Sequence, residues 1–411
     1  MYNLLIKIYT ALIHLSAPFN QKAKEWVNGR KGLFPLLEKI EHGDGIVWFH
    51  CASLGEYEQA IPLIINLKRQ HPNNKILVTF FSPSGYNHRR NIEEVDYYAY
   101  LPADTKRNAS RFLDIVKPVC AIFCKYDYWF NFIKIMYDRN IPQFFVSSIF
   151  RESQYFFKWY GYPAVKTLRK VTHFFVQNEE SKRLLNSISI DNVSVTGDTR
   201  FDRVVEIANS DFIDEKVSDF KGDGKVFIAG SSWEPDETII HNSMDALADY
   251  RIILAPHLID RDNLERISRL FDGNVVNYSQ YEVGYDYGNK VMVIDCIGKL
   301  AYLYRYADIA YVGGGFGKGI HNTLEAVVYG IPVIFGPKYL KYNEAVMLVD
   351  SKGGFSISNE SDFRNIIEKL SYEKIYSETK NNCLHIVQSN SNVSRVIILE
   401  INKLVDFRKS Y

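Results

Sequence analysis

The chain has 411 residues, 46% hydrophobic and 14% aromatic, which is ample for two ordinary cores and too much for one compact domain. Forty-nine Lys and Arg against 48 Asp and Glu leave a formal charge of +1, so global electrostatics excludes nucleic acid or a strongly acidic partner as the governing theme, and any basic function is local. Five cysteines, Cys51, Cys120, Cys124, Cys296 and Cys383, lack zinc-ligand or paired-disulfide spacing and suit a reducing compartment.

Residues 1–17 are mostly apolar but interrupted by Lys7 and His14, and they end at Pro18 ahead of Lys22, Lys24, Arg30 and Lys31. That is marginal for a membrane span. A short apolar helix followed by cations fits a segment (residues 1–20) lying on an anionic membrane face, with packing on its own domain as the alternative. No basic residue precedes the apolar run, which argues against a cleaved signal peptide.

From Ile46 onward, short apolar runs alternate with segments of helical period, the pattern of a parallel sheet covered on both faces. Strands are expected at residues 46–50, 76–81, 119–124, 143–147 and 173–177, then in a second series at 225–229, 251–255, 291–294, 309–312 and 332–335. Cys120 and Cys124, four apart in a strand, share a face as core filling. Residues 207–224, rich in Asp, Lys, Ser and Gly, read as a linker between a domain over 21–206 and another over 225–411, whose last helix is free to pack back on the first. Two doubly wound domains joined in this way are expected to face a central cleft, with function in the strand-end loops.

The first strand end reads Trp48-Phe49-His50-Cys51-Ala52-Ser53-Leu54-Gly55-Glu56. Ser53-x-x-Glu56 fits a helix capping box. It fits equally a close backbone approach at Gly55 with Glu56 as a general base. Residues 312–325 form a glycine loop that leaves a strand and enters a helix, where backbone N–H groups can hold a phosphate. Its spacing does not match the dinucleotide fingerprint G-x-G-x-x-G. Asn322 and Glu325 share a face there, and the glutamate can accept from ribose hydroxyls. Gly230-Ser231-Ser232, Ala255-Pro256-His257 and Ile297-Gly298-Lys299 are weaker strand-end turns in the same half. Asp260-Arg261-Asp262 reads as a helix cap rather than a cation site, and the expected chemistry uses no metal and no cofactor.

The ordered set of Ser53-Leu54-Gly55-Glu56, Thr196-Gly197-Asp198-Thr199-Arg200-Phe201-Asp202 and the glycine loop ending His321-Asn322-Thr323-Leu324-Glu325 resembles the Kdo transferases, the enzymes of 3-deoxy-D-manno-octulosonic acid transfer. Thr79 to Gly85, Ser148 to Arg151 and Phe19 to Lys22 resemble the family's Bacteroidetes-like branch, so the likeness spans almost the whole chain. The resemblance implies an α/β fold of glycosyltransferase B type with two Rossmann-like domains. It implies inverting, metal-independent transfer from CMP-Kdo to the lipid A precursor, at the cytoplasmic face of the inner membrane. Glu56 is then the base, Arg200 the cation that holds the donor and offsets charge on the leaving phosphate, and Asp127 the remaining member of a supporting acidic pair. The CMP contacts map onto Pro256 and His257, onto Ile297, Gly298 and Lys299, and onto Asn322, Thr323, Leu324 and Glu325. Three positions depart from the pattern: Arg200 stands where many members have Lys, Lys125 replaces an acidic residue, and His257 replaces the Arg of a Pro-Arg pair. A related transferase with a UDP-sugar donor, or a binding scaffold without turnover, are the alternative readings.

Overall fold

The computed structural model describes residues 2–89, 91–285 and 287–408. The chain divides into two compact units, one holding the chain up to Arg203 together with the chain from Asn392 onward, the other Val204–Ser391.

The first unit is built on seven strands: β1 (Ile46–Cys51), β2 (Lys75–Phe80), β3 (Tyr97–Tyr100), β4 (Pro118–Cys124), β5 (Gln143–Ser148), β6 (His173–Val176) and β7 (Val193–Val195). Their order is β3-β2-β1-β4-β5-β6-β7, every pairing is parallel, and the order reverses between β1 and β4. Alternate residues feed opposite faces. Trp48, Leu77, Ala121 and Phe123 join one core cluster, whereas Val47, Phe49, Cys120, Ile122 and Cys124 join another. Burial on both faces is why the central strands read as unbroken apolar runs. Three helices open this unit, α1 (Tyr2–Ser16), α2 (Gln21–Gly29) and α3 (Leu33–Leu37), and α4 (Leu54–Gln70) follows β1.

α1 leans on its unit through Tyr2, whose hydroxyl donates to Asp104 Oδ2 at 2.6 Å and whose ring packs at a tilt against Phe130. Leu4, Leu5, Ile8, Leu12 and Leu15 remain exposed. Among the described residues no helix is long and apolar enough to cross a membrane.

The second unit repeats the architecture with β8 (Lys225–Ser232), β9 (Tyr250–Pro256), β10 (Val275–Asn277), β11 (Val291–Val293), β12 (Ile309–Val312), β13 (Val333–Phe335) and β14 (Gly354–Ser356). The order is β10-β11-β9-β8-β12-β13-β14, again all parallel, with the reversal between β8 and β12.

The stretch 207–224, expected to be a linker, is instead a packed part of the second unit. Asp214 caps the helix Glu215–Lys221 by accepting from the Val217 N–H, and Val217 and Phe220 are buried. Its polar composition reflects one exposed helical face. The division of the chain falls earlier, inside the helix Arg200–Ala208.

The helix Val393–Leu404 returns to the first unit, where Ile397, Ile398 and Ile401 join the core cluster that contains α4. Asp202 receives its first turn, accepting from the N–H groups of Asn392 and Ser394 at 2.6 Å. Replacing the fully buried Ile397 by Ala removes three methyl(ene) groups from that contact, and we expect the first unit to lose about 2–5 kcal/mol in urea unfolding while the unfolding of the second is unchanged. Equal shifts in both transitions would contradict this arrangement.

Candidate active site

Both strand-order reversals coincide with loops rich in reactive side chains. In the first unit β1 runs out at Cys51, and Ser53 starts α4 by a capping box: the Ser53 N–H donates to Glu56 Oε2 at 3.0 Å. The cap reading is thus correct as geometry. It does not displace the other reading, because Glu56 is only 9% exposed, unlike an ordinary solvated cap. Burial, with the charge of Asp127 next in size, pushes its carboxyl up to about 7, against the pull of the Ser53 N–H and of Lys125. A carboxyl near neutrality both accepts and releases a proton at working pH, as general base catalysis requires.

The loop after β4 supplies the neighbours. Lys125 sits at φ 63°, in the left-handed region that a lysine rarely occupies. From there its charge lowers the pKa of both Glu56 and Asp198. The lysine that departs from the family pattern therefore acts as a local counter-charge for two carboxylates. Asp127 lies 3.3 Å from His50 Nε2.

His50, quoted in the strand-end reading but given no role there, is 1% exposed and organises this loop. Its Nδ1 meets Thr79 Oγ1 at 2.9 Å, and its Nε2 receives the Trp129 indole N–H at 3.0 Å. Nε2 serves one neighbour at a time: as a lone pair it accepts from Trp129, as an N–H it donates to Asp127. A histidine at the end of an otherwise apolar strand was the sequence signal.

Arg200 is brought into the same cluster, bound to Asp198 through Nε at 2.8 Å and Nη2 at 2.7 Å. Burial alone would raise Asp198, but Arg200 holds its carboxyl below the usual range, and Gln59 of α4 donates to its other oxygen. Glu56, Asp127 and Arg200 thus occupy one region of the first unit, as expected from the sequence. The Thr196–Asp202 motif divides its work: Asp198 fixes Arg200, whereas Asp202 caps the returning helix.

In the second unit the loops after β8, β9 and β12 converge. His257 follows Pro256 at the end of β9, and its ring stacks on both Trp233 and His321, with centroids 4.6 Å away in each case. Trp233 donates its indole N–H to His321 Nε2 at 3.2 Å. Trp233 was not singled out from the sequence. Asp236 ties these loops together by accepting from the Trp233 and Gly314 N–H groups at 2.9 Å and from the Tyr311 hydroxyl at 2.7 Å.

The glycine loop differs from its expected form. It is followed by only a four-residue helix, Leu324–Val327, so no extended dipole backs it. Its glycines answer to packing: a Cβ on Gly313 would lie 2.3 Å from Ser231 O, and one on Gly315 2.6 Å from Gly336. Asn322 precedes the helix rather than sharing its face, yet it donates to Glu325 Oε1 at 3.0 Å and accepts from the Leu324 N–H. Thr323 is fully buried, with a hydroxyl that lacks a partner among the described residues, and Leu324 is core. Ile297 is 79% exposed beside Gly298, whose φ is 89°. Lys299 is drawn to Asp214 at 2.8 Å, so the supposed linker reaches this loop. Asp260 caps the helix Arg261–Leu270 through the Asn263 N–H at 3.1 Å.

A family model described as 3-deoxy-D-manno-octulosonic-acid transferase (kdotransferase) matches residues 24–203, ending where the first unit ends. The 3-deoxy-D-manno-octulosonic acid transferase of Aquifex aeolicus is 27% identical over 84% of this chain and 91% of its own length. Most of the chain is thus similar in sequence to Kdo transferases, and the family model itself covers residues 24–203. A bifunctional glycosyltransferase/methyltransferase of Fusobacterium nucleatum is 29% identical over 93% of this chain, which spans 60% of that protein. Among solved structures, UDP-GlcNAc 2-epimerase of Neisseria meningitidis bound to UDP-GlcNAc shares the fold, with a TM-score of 0.62, 18% identity and coverage of 87% of this chain and 99% of its own.

A carboxyl raised on folding opposes folding wherever it must ionise. The penalty is absent below its unfolded value near 4.5 and complete above about 7, where it amounts to about 3 kcal/mol. Glu56→Gln is therefore expected to stabilise the first unit by up to about 3 kcal/mol at pH 8 and by little at pH 4.5, read from urea unfolding at the two pH values. A variant no more stable than the parent at pH 8 would show that Glu56 ionises freely.

Proposed function

We propose that this chain transfers Kdo from CMP-Kdo to the lipid A precursor, in lipopolysaccharide assembly. The observation that carries the reading is the buried Glu56, poised near neutrality at the strand-order reversal of the unit that the family model covers. Glu56 takes the proton from the acceptor sugar hydroxyl as that oxygen attacks the anomeric carbon, the bond to the CMP phosphate breaks, and the electron pair leaves on CMP. One displacement inverts the centre.

Arg200 offsets negative charge from the Kdo carboxylate or the departing phosphate, with its geometry fixed by Asp198. Asp127, beside His50, keeps the pKa of Glu56 high enough for it to act as a base, and Lys125 keeps it from rising further. The second unit holds the nucleotide through the His257, Ile297–Lys299 and Asn322–Glu325 loops. The reaction needs no metal and no cofactor. The acceptor is a lipid, so the enzyme works at the cytoplasmic face of the inner membrane, with the exposed leucines of α1 lying in the interface. The relatives do not favour a UDP-sugar donor or an inactive scaffold.

Purified protein is expected to form Kdo-bearing lipid from CMP-Kdo and the lipid A precursor, detected by mass spectrometry, and Glu56→Ala to fold but lose at least about a thousandfold in kcat. A Glu56→Ala variant that keeps most of its activity would remove the mechanism.

The rate should rise with pH through about 7 and then level off, because only the ionised base works. Lys125→Met should move that limb to higher pH and Asp127→Asn to lower pH. Limbs that stay in place in both variants would mean that another group titrates.

A further inference from the structure

Two strand-end loops bring the cations of the first unit into the Glu56 cluster: the one after β4 carries Lys125, and the one after β7 carries Arg200. Neither loop is held by its own strand alone. Both are tied to the end of β5, which lies between β4 and β6 in the sheet and has so far had no part in the chemistry. That strand ends in Ser147 and Ser148, two fully buried serines that follow three apolar residues.

β5 does not end as a regular strand. Against β6 it runs in register through Phe145 and Phe174 and then pairs Ser148 with Val176, so three steps on one strand meet two on the other. The extra residue makes a bulge, a device that turns a side chain out of the ladder. Ser147 lies in it at φ 50°, in the left-handed region where a residue with a Cβ is strained. Glycine would bear that conformation more easily, yet the position holds a serine whose hydroxyl is used twice. It accepts from the Thr199 N–H at 3.2 Å and meets Thr199 Oγ1 at 2.9 Å. Gln177, just after β6, pins the bulge by donating to the Ser147 carbonyl at 3.0 Å.

Ser148 does the corresponding work for the other loop. Its hydroxyl donates to Lys125 O at 2.8 Å, and the Lys125 N–H donates to Val146 O at 3.0 Å. Lys125 is itself in the left-handed region, and these two bonds to β5 offset the strain of that conformation. Thr199 stands between Asp198 and Arg200, so its bond to Ser147 sets the start of the helix Arg200–Ala208 and, with it, the forked contact of Arg200 with Asp198. We infer that Ser147 and Ser148 are positioning residues of the site, a single bulge that fixes both Lys125 and Arg200 relative to Glu56. The inference rests on the roles proposed above for the two cations.

Two variants of the full chain separate positioning from plain stability. Ser147→Gly adopts the same backbone without strain but removes the hydroxyl, and Ser148→Ala removes the donor to Lys125. Ser147→Gly is expected to keep the urea midpoint of the first unit close to that of the parent and to lower kcat for transfer from CMP-Kdo at least about tenfold. Added to Arg200→Ala, it should cost no more than a further factor of about two. Ser148→Ala should act through Lys125. Glu56 is faced by Asp127 and Lys125 from the β4 loop and by the Ala52 and Ser53 N–H groups from its own. Displacing Lys125 should therefore carry the rising limb of the rate to higher pH, as Lys125→Met does, with no further movement when the two are combined.

A Ser147→Gly variant with the kcat of the parent would overturn the inference. So would an equal loss in the parent and in Arg200→Ala, since the hydroxyl would then serve the fold alone. A limb that stays in place in Ser148→Ala would overturn the part that concerns Lys125. A measurement without substrate separates the bulge from the enzyme assignment: Glu56→Gln should raise the urea midpoint at pH 8 by more in Ser148→Ala than in the parent, because the carboxylate there has lost a counter-charge. That result together with no Kdo transfer by the parent would remove the enzyme assignment and leave the bulge, whereas transfer by the parent with equal midpoint gains would do the reverse.

Discussion

Where a parallel sheet reverses its strand order, the crossovers that leave the two neighbouring strands go to opposite faces, and the loops at their carboxyl ends part. Each unit has one such place, between β1 and β4 in the first and between β8 and β12 in the second. Many of the polar groups discussed above hang from these four strands, with Asp198 and Arg200 following β7 and His257 following β9. Glu56 lies in the first turn after β1, with Lys125 and Asp127 just beyond β4. Ser232 ends β8, and the glycine loop leaves β12. The strands themselves are buried along almost their whole length, so the loops begin from anchors that hydrophobic packing holds rigid.

Rigid anchors let two buried carboxyls in one cluster be driven in opposite directions. Glu56 is pulled down by backbone N–H groups and by Lys125 but has Asp127 as a neighbour, so burial prevails and its carboxyl is raised. Asp198 is at least as buried, yet the forked contact with Arg200 and the charge of Lys125 outweigh burial and lower it. Such a separation assigns roles: the raised group exchanges protons, and the lowered one stays ionised to orient a cation. The capping box serves the same end. It fixes the carboxyl of Glu56 against the helix start, where a flexible glutamate would turn to water and lose its tuning.

Legibility in the sequence followed burial. The ten strands expected from apolar runs are all present, and the four that gave no signal, β3, β7, β10 and β14, are the outermost strands of the two sheets. Edge strands here have three or four residues and are partly exposed, so neither length nor continuous hydrophobicity marks them. The polar segment before Lys225 misled for a related reason, since Val217 and Phe220 alone bury the helix that it contains. Glu56, Asp127 and Arg200 were found through the family resemblance, and their gathering at strand ends follows from the topology. What spacing could not show is the role of long-range partners. Lys125 counted as a departure until its neighbours were known, and His50 and Trp233 act through residues tens of positions away.

The aromatic packing of the first unit also connects Arg30 with the carboxylate cluster. Arg30 donates to the carbonyl of Phe81, whose ring packs on Trp129 with centroids 4.7 Å apart. Trp129 in turn donates to His50, the neighbour of Asp127. Phe81 and Trp129 thus form a wall with Arg30 on one side and the carboxylates on the other, one ring pair thick. Of the two rings only that of Trp129 carries a hydrogen bond, whereas Phe81 holds Arg30 through its backbone carbonyl. A substitution of Trp129 therefore acts on the carboxylate cluster through His50 and, through its packing on Phe81, on the ring that Trp26 also touches.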